Sequence, residues 1–206
     1  MENDWSEDAQ LEIRVKTGFP MPLVKCRVVG SDGIDVPMDG EHAGEIVLRS
    51  PWLTEGYYKD SERSEQLWSG DWMRTGDVAN VDQNGYIQIV DRMKDIIKSG
   101  GEWIVSLELE NLLSLHEDVF EAGVIGIPDE KWGERPLAVI STKEGAKVDV
   151  TAEVLQSHLA KFVSDGQIAK WAIPERFEFM DQLPKTSVGK IDKNELRRQF
   201  AFNRED

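Results

Sequence analysis

A single cysteine, Cys26, occurs in 206 residues, which excludes a disulfide framework. It sits in the strand-like run Val24-Lys25-Cys26-Arg27-Val28-Val29, where a buried structural thiol is expected, and a reducing cytoplasmic compartment fits. Dense basic clusters are missing too. With 24 Lys and Arg against 39 Asp and Glu the net charge is -15, so nucleic acid is not an expected partner and neither is a membrane surface. No apolar run reaches the ~18 residues of a membrane span, so no integral membrane segment is expected. The stretch Met1-Glu2-Asn3-Asp4-Trp5-Ser6-Glu7-Asp8 is acidic and carries neither the basic region nor the apolar run of a targeting leader. The chain therefore reads as soluble, untargeted and cytoplasmic. Internal repeats and low-complexity segments are absent.

What is present is enough to fold. At 40% hydrophobic residues, with seven tryptophans, the chain can bury a core and is long enough for one large or two small domains. Residues 11–90 read as mainly β: apolar runs at Leu23 to Val29, Glu45 to Leu48 and Tyr86 to Val90 are separated by Gly and Asp turns. Asn84-Gly85, between Val78 to Val81 and Tyr86 to Val90, predicts a hairpin whose two turn residues both take positive φ. Asp60 to Trp68 predicts a short helix.

From residue 95 the pattern becomes mixed. Leu109, Leu112, Leu113 and His116 fall at helical spacing, with Ser106 as the expected N-cap and Glu108 near the positive end of the dipole. Val154, Leu155, Leu159 and Phe162 repeat the spacing. Ala122 to Ile127, Leu137 to Thr142 and Arg176 to Met180 read as strands, and Asp192 with Glu195 as a capping box opening a last helix to Phe200. The fold class expected is α+β: a β-rich subdomain followed by a small α+β domain, with the boundary near Asp91 to Lys94.

Three segments carry candidate chemistry. Near the C-terminus, Leu183-Pro184-Lys185-Thr186-Ser187-Val188-Gly189-Lys190 predicts a tight exposed loop in which Gly189 lets a ligand approach closely and Lys190 offers a cation. Upstream, Arg74-Thr75-Gly76-Asp77 places a carboxylate after a glycine turn, where it can accept two hydrogen bonds from a vicinal diol such as ribose. Arg92 follows, suited either to ribose and phosphate oxygens or to a surface ion pair with Asp91. The run Lys98-Ser99-Gly100-Gly101-Glu102-Trp103 reads as a flexible double-glycine loop ending in an aromatic, open to backbone approach and stacking. Each segment alone is compatible with an ordinary turn.

Together, and in this order, they resemble the AMP-forming acyl-CoA synthetase branch of the adenylate-forming superfamily over nearly the whole chain. Gly44-Glu45-Ile46 through Gly56-Tyr57-Tyr58, Asp91-Arg92-Met93-Lys94-Asp95, and Ile125-Gly126-Ile127-Pro128-Asp129 to Trp132-Gly133-Glu134 are similar to further blocks of that family, most of all to fatty-acyl and related short-to-medium-chain ligases. The resemblance implies that residues 1–91 form the end of the large AMP-binding domain, a remnant of its distorted β-barrel. It makes 92–94 a hinge and 95–206 the mobile lid domain. It implies ATP with Mg²⁺, CoA and a carboxylic (fatty) acid as the reactants. Asp77 then holds the ribose, Arg92 supports the nucleotide, Lys190 is catalytic in adenylate formation and Lys94 is the hinge residue. Lys98, Gly100, Gly101, Glu102 and Trp103 form the binding segment brought up for thiol transfer; Trp103 stands where many relatives carry a polar residue, and a packing role is expected of it. No metal ligand is implied within the chain.

The family's phosphate loop, a Ser/Thr/Gly-rich run ending in Pro-Lys, has no counterpart here, nor does its Tyr-Gly-x-Thr-Glu block. The expected partner is thus a missing N-terminal large domain, and the chain alone is not expected to be competent. The alternative is a free-standing accessory module that binds a nucleotide or CoA, or docks on a separately encoded large domain.

Overall fold

The computed structural model describes residues 6–145 and 150–200; the acidic residues 1–5 lie outside it. The chain divides into two compact units, Met1–Lys94 and Asp95–Asp206.

The first unit opens with a helix that apolar periodicity does not announce, α1 (Glu7–Arg14). Its sequence, Glu-Asp-Ala-Gln-Leu-Glu-Ile-Arg, is rich in intrinsic helix formers and poor in apolar residues, so propensity rather than an apolar stripe carries it. An antiparallel sheet follows: β1 (Lys25–Val29) pairs with β2 (Gly44–Arg49), and β2 with the long β4 (Trp72–Val81). The other edge of β4 takes the short β3 (Trp68–Ser69) and β5 (Ile87–Arg92). Helix α2 (Ser61–Leu67) precedes β3 and is capped by Asp60, whose carboxylate accepts the Arg63 N–H at 3.0 Å. Period-two alternation collects Val28, Ile46 and Ala79 in a small core, with Cys26, Leu48, Val81 and Ile87 around it. Cys26 is half-buried there, and that burial pushes its thiol pKa up.

The β4–β5 hairpin forms, but not with two positive-φ turn residues. Only Gly85 is left-handed, at φ 83°, and the loop is Gln83-Asn84-Gly85. The cause is Asp82: its carboxylate accepts the N–H groups of Asn84 (2.8 Å) and Tyr86 (2.9 Å), holding a right-handed turn followed by one left-handed glycine. The tryptophans also behave differently from expectation. None of the six among the described residues is buried, and Trp52, Trp132 and Trp171 are more than 40% exposed, so aliphatic side chains build the cores.

The second unit is a sheet covered on both faces. A hairpin of β6 (Ile97–Ser99) and β7 (Glu102–Ile104) leads into α3 (Ser106–Ser114). Then come β8 (Val119–Asp129) and β9 (Gly133–Thr142), antiparallel along almost their full length, α4 (Ala152–Ser164), and β10 (Arg176–Phe179), which runs parallel to β9. Helix α5 (Lys193–Phe200) closes the unit. Alternate residues of β8 and β9 divide two cores. Val124, Ala138 and Ile140 join Leu109, Leu113, Leu155 and Leu159 under α3 and α4, whereas Ile125, Leu137 and Val139 join Leu183 and Leu196 under α5. Burial on both faces explains why these strands read as continuous apolar runs.

Ser106 is not a cap. Val105 occupies the cap position without a side-chain bond, and the fully buried Ser106 hydroxyl accepts from Lys193 Nζ at 2.8 Å. The capping box at α5 is half formed. Asp192 accepts the Glu195 N–H at 3.1 Å, while the Asp192 N–H goes to the Pro184 carbonyl instead of to Glu195.

Candidate functional site

Asp77 lies inside β4 rather than before a strand, and stands directly opposite Arg92 on β5. Arg92 Nη1 contacts Asp77 Oδ1 at 2.9 Å; Asp91, its sequence neighbour, accepts the Arg92 backbone N–H. The ion pair is thus across the strands, not within the dipeptide. Asp77 pairs with no other cation among the described residues. The turn that presents Asp77 is built on a buried carboxylate. Glu45, 3% exposed at the start of β2, accepts the Gly76 N–H at 3.2 Å and pairs with Arg74. The Thr75 hydroxyl donates to the Ile46 carbonyl at 2.9 Å and accepts the Asp77 N–H at 3.1 Å. Gly76, at φ 71°, returns its carbonyl to the Met93 N–H at 2.8 Å.

In the second unit Gly100 (φ 63°) and Gly101 (φ 92°) form the two-residue turn of the β6–β7 hairpin. Two successive left-handed residues make this a tight turn matched to strand twist, not a flexible loop. A Cβ on Gly100 would stand 2.9 Å from the Trp132 ring, so glycine is required both by backbone and by neighbour. Lys98 and Trp103 face one another across the hairpin. The Lys98 N–H donates to Glu134 at 2.8 Å and its side chain is exposed. Beside the turn opens a cavity of about 850 Å³ walled by Gly100, Glu102, Trp132, Arg135, Lys170 and Trp171. Arg135 is fixed there by the Trp171 carbonyl (2.7 Å) and Glu175 (3.0 Å).

Lys190 ends a closed loop. The Thr186 N–H donates to the Lys190 carbonyl at 2.7 Å, the Gly189 N–H to the Thr186 carbonyl at 2.9 Å, and Gly189 sits at φ 79°. The Lys190 side chain is exposed and has no hydrogen-bond or ion-pair partner among the described residues. No three His, Cys, Asp or Glu among the described residues gather to hold a metal ion.

The profile of the AMP-binding enzyme C-terminal domain matches residues 108–190. A long-chain-fatty-acid–CoA ligase of Thermus thermophilus is 46% identical over 95% of this chain, and a 3-methylmercaptopropionyl-CoA ligase of Ruegeria pomeroyi 42% identical over 94%. ATP-bound MatB from Rhodopseudomonas palustris superposes with a TM-score of 0.76 at 30% identity, over 93% of this chain and 37% of its own. The chain belongs to the adenylate-forming, AMP-binding enzymes. It spans about a third of the length of the curated relatives it matches, 35% and 34% for the two ligases.

In this chain the structure brings Asp77 and Arg92 together in the first unit, and Lys98, Gly100, Gly101, Glu102 and Trp103 onto one hairpin in the second. Lys190 is presented separately, on the loop before α5. Sequence reasoning gave no role to Glu45, Arg135, Lys170 or Trp171. The signal for Glu45 was a carboxylate at the head of an otherwise apolar strand, Glu45-Ile46-Val47-Leu48. For Trp171 and Lys170 there was none, because only tertiary packing places them beside the Gly100 turn.

Proposed function

We propose that this chain is the C-terminal part of an ATP-dependent, AMP-forming acyl-CoA ligase acting on a fatty or related carboxylic acid. The observation that carries the reading is Lys190, an exposed ammonium with no partner among the described residues, on a loop held closed at its base. In the first half-reaction a substrate carboxylate oxygen attacks the α-phosphorus of ATP and pyrophosphate leaves. Lys190 stabilises the negative charge gathering on the carboxylate and α-phosphate oxygens. Asp77 accepts from the ribose hydroxyls, while Arg92 both orients Asp77 and faces the nucleotide. Magnesium accompanies the ATP phosphates as part of the substrate.

In the second half-reaction the CoA sulfur attacks the acyl carbonyl and AMP leaves. The Gly100-Gly101 turn faces that step, and the adjoining cavity supports it: indole faces of Trp132 and Trp171 suit stacking, and Lys170 suits phosphate. Lys94, the last residue before the second unit, is the hinge about which that unit exchanges the two arrangements. The large domain that carries the phosphate loop is the partner, and the cytoplasm is the location.

Pyrophosphate release tests the reading. This chain alone, given ATP, Mg²⁺ and a fatty acid, releases none. Supplied with the large domain, it shows acid-dependent release and, on adding CoA, thioester. Acid-dependent release by the chain alone, or no activity in the complemented protein with any carboxylic acid, contradicts it.

A further inference from the structure

We infer that Arg197 is a positioning residue for Lys190, coupling the segment after Lys94 to the helix on which the Lys190 loop is mounted. This rests on the reading of Lys190 as the adenylation cation. Lys193 and Arg197 lie one helical turn apart on the same side of α5, and each reaches a different anchor. Lys193 Nζ contacts Glu110 Oε1 and Ser106 Oγ, both at 2.8 Å, and that same Glu110 oxygen accepts the Val124 N–H at 2.8 Å. This fixes the start of α5 to α3 and β8. Arg197 Nη2 contacts Asp95 Oδ1 at 2.7 Å, with side chains only 22% and 13% exposed. Asp95 directly follows Lys94.

Between these two anchors Leu196 is fully buried against β8. A Cβ on Gly123 would stand 2.9 Å from Leu196 Cδ1, so Leu196 seats directly over that glycine. The loop itself has little freedom. Lys185 pairs with Glu121 of β8 at its entrance, and a bridge between Lys185 and Ile191 closes its base. Lys190 thus moves with α5, and the Arg197–Asp95 pair attaches α5 to the first residue past the proposed hinge. A charge-assisted bond in this half-dry setting resists stretching. Rotation at Lys94 displaces Asp95, and Arg197 makes the helix and its lysine follow.

A cycle with Lys190→Ala in the full-length protein that carries this chain tests the inference. Arg197→Met should slow adenylation, read as pyrophosphate release, by about 10–100-fold, because a small misplacement of a transition-state cation costs that much. Thioester formation from pre-made acyl-adenylate should fall by less than about threefold. In the Lys190→Ala background Arg197→Met should add almost nothing, since no ammonium remains to be placed. Arg197→Lys should restore part of the rate. Asp95→Asn, isosteric, repeats the cycle if Arg197→Met does not fold. Multiplicative losses in the double variant, or equal loss in both half-reactions, overturn the inference while leaving Lys190 in its role. If Lys190→Ala itself leaves adenylation unchanged, the reading of Lys190 falls and this inference with it.

Discussion

Glu45→Ala removes the buried carboxylate under the turn that presents Asp77, and its cost follows from what is left behind. The Gly76 N–H loses its acceptor and Arg74 loses its ion-pair partner. A hydrogen bond to a charged group contributes about 1.5–3 kcal/mol, and breaking a fully buried ion pair costs about 3–5 kcal/mol. Arg74 is half exposed and regains water when unpaired, which places the loss toward the lower range, about 2–3 kcal/mol. For a unit of this size that lowers the unfolding midpoint by about 10–20 °C. Glu45→Gln keeps an acceptor for Gly76 and should lose roughly half as much. The assay pairs urea unfolding with amide hydrogen exchange on the segment 72–93, where the Gly76 and Met93 amides report the turn directly. Expected is faster exchange at both amides in Glu45→Ala, intermediate in Glu45→Gln. A Glu45→Ala protein within about 0.5 kcal/mol of wild type, with unchanged exchange at Gly76, would refute the clamp.

Gly100→Ala forces a side chain into a left-handed position, costing about 1–2 kcal/mol, and pushes on the Trp132 ring; indole emission should shift in this variant and not in Gly101→Ala, whose Cβ meets nothing within 4 Å. Burial of His158 lowers its pKa, with His116 and Lys161 adding to the effect against the Leu112 carbonyl, which raises it. Because the unfolded histidine then binds protons more readily than the folded one, stability should fall as pH drops through about 6.5. Urea unfolding at pH 7.5 and 5.5 should show a larger loss for wild type than for His158→Gln; equal losses count against it. Brief trypsin treatment should cut first after Arg92 or Lys94, both exposed beside the division between units, and earliest cleavage within α3 or β8 would argue against a hinge there.

The strands and helices were legible where one physical signal dominated. The apolar runs of β8 and β9 and the Leu155, Leu159 spacing of α4 are such cases, as is the short helix expected over Asp60 to Trp68. Signals failed where a side chain overrode a backbone rule. Asp82 turned an Asn-Gly turn into a three-residue loop, and Lys193 claimed the Ser106 hydroxyl that would otherwise cap α3. Helix α1 was missed because it has propensity but little periodicity. Of the candidate site, the glycine-flanked residues Asp77, Gly100 and Lys190 could be singled out because glycine marks close approach in one dimension. Glu45, Arg197 and the cavity wall around Trp171 act only through pairings distant in sequence.

The central claim is that Lys190 acts in one half-reaction and not in the other. Lys190→Ala in the complemented or full-length protein should slow adenylate formation by ~10²–10³, the usual loss for one transition-state electrostatic group. The transfer of acyl from pre-made acyl-adenylate to CoA should be nearly unchanged. Equal loss in the two steps would make the lysine structural and contradict the account.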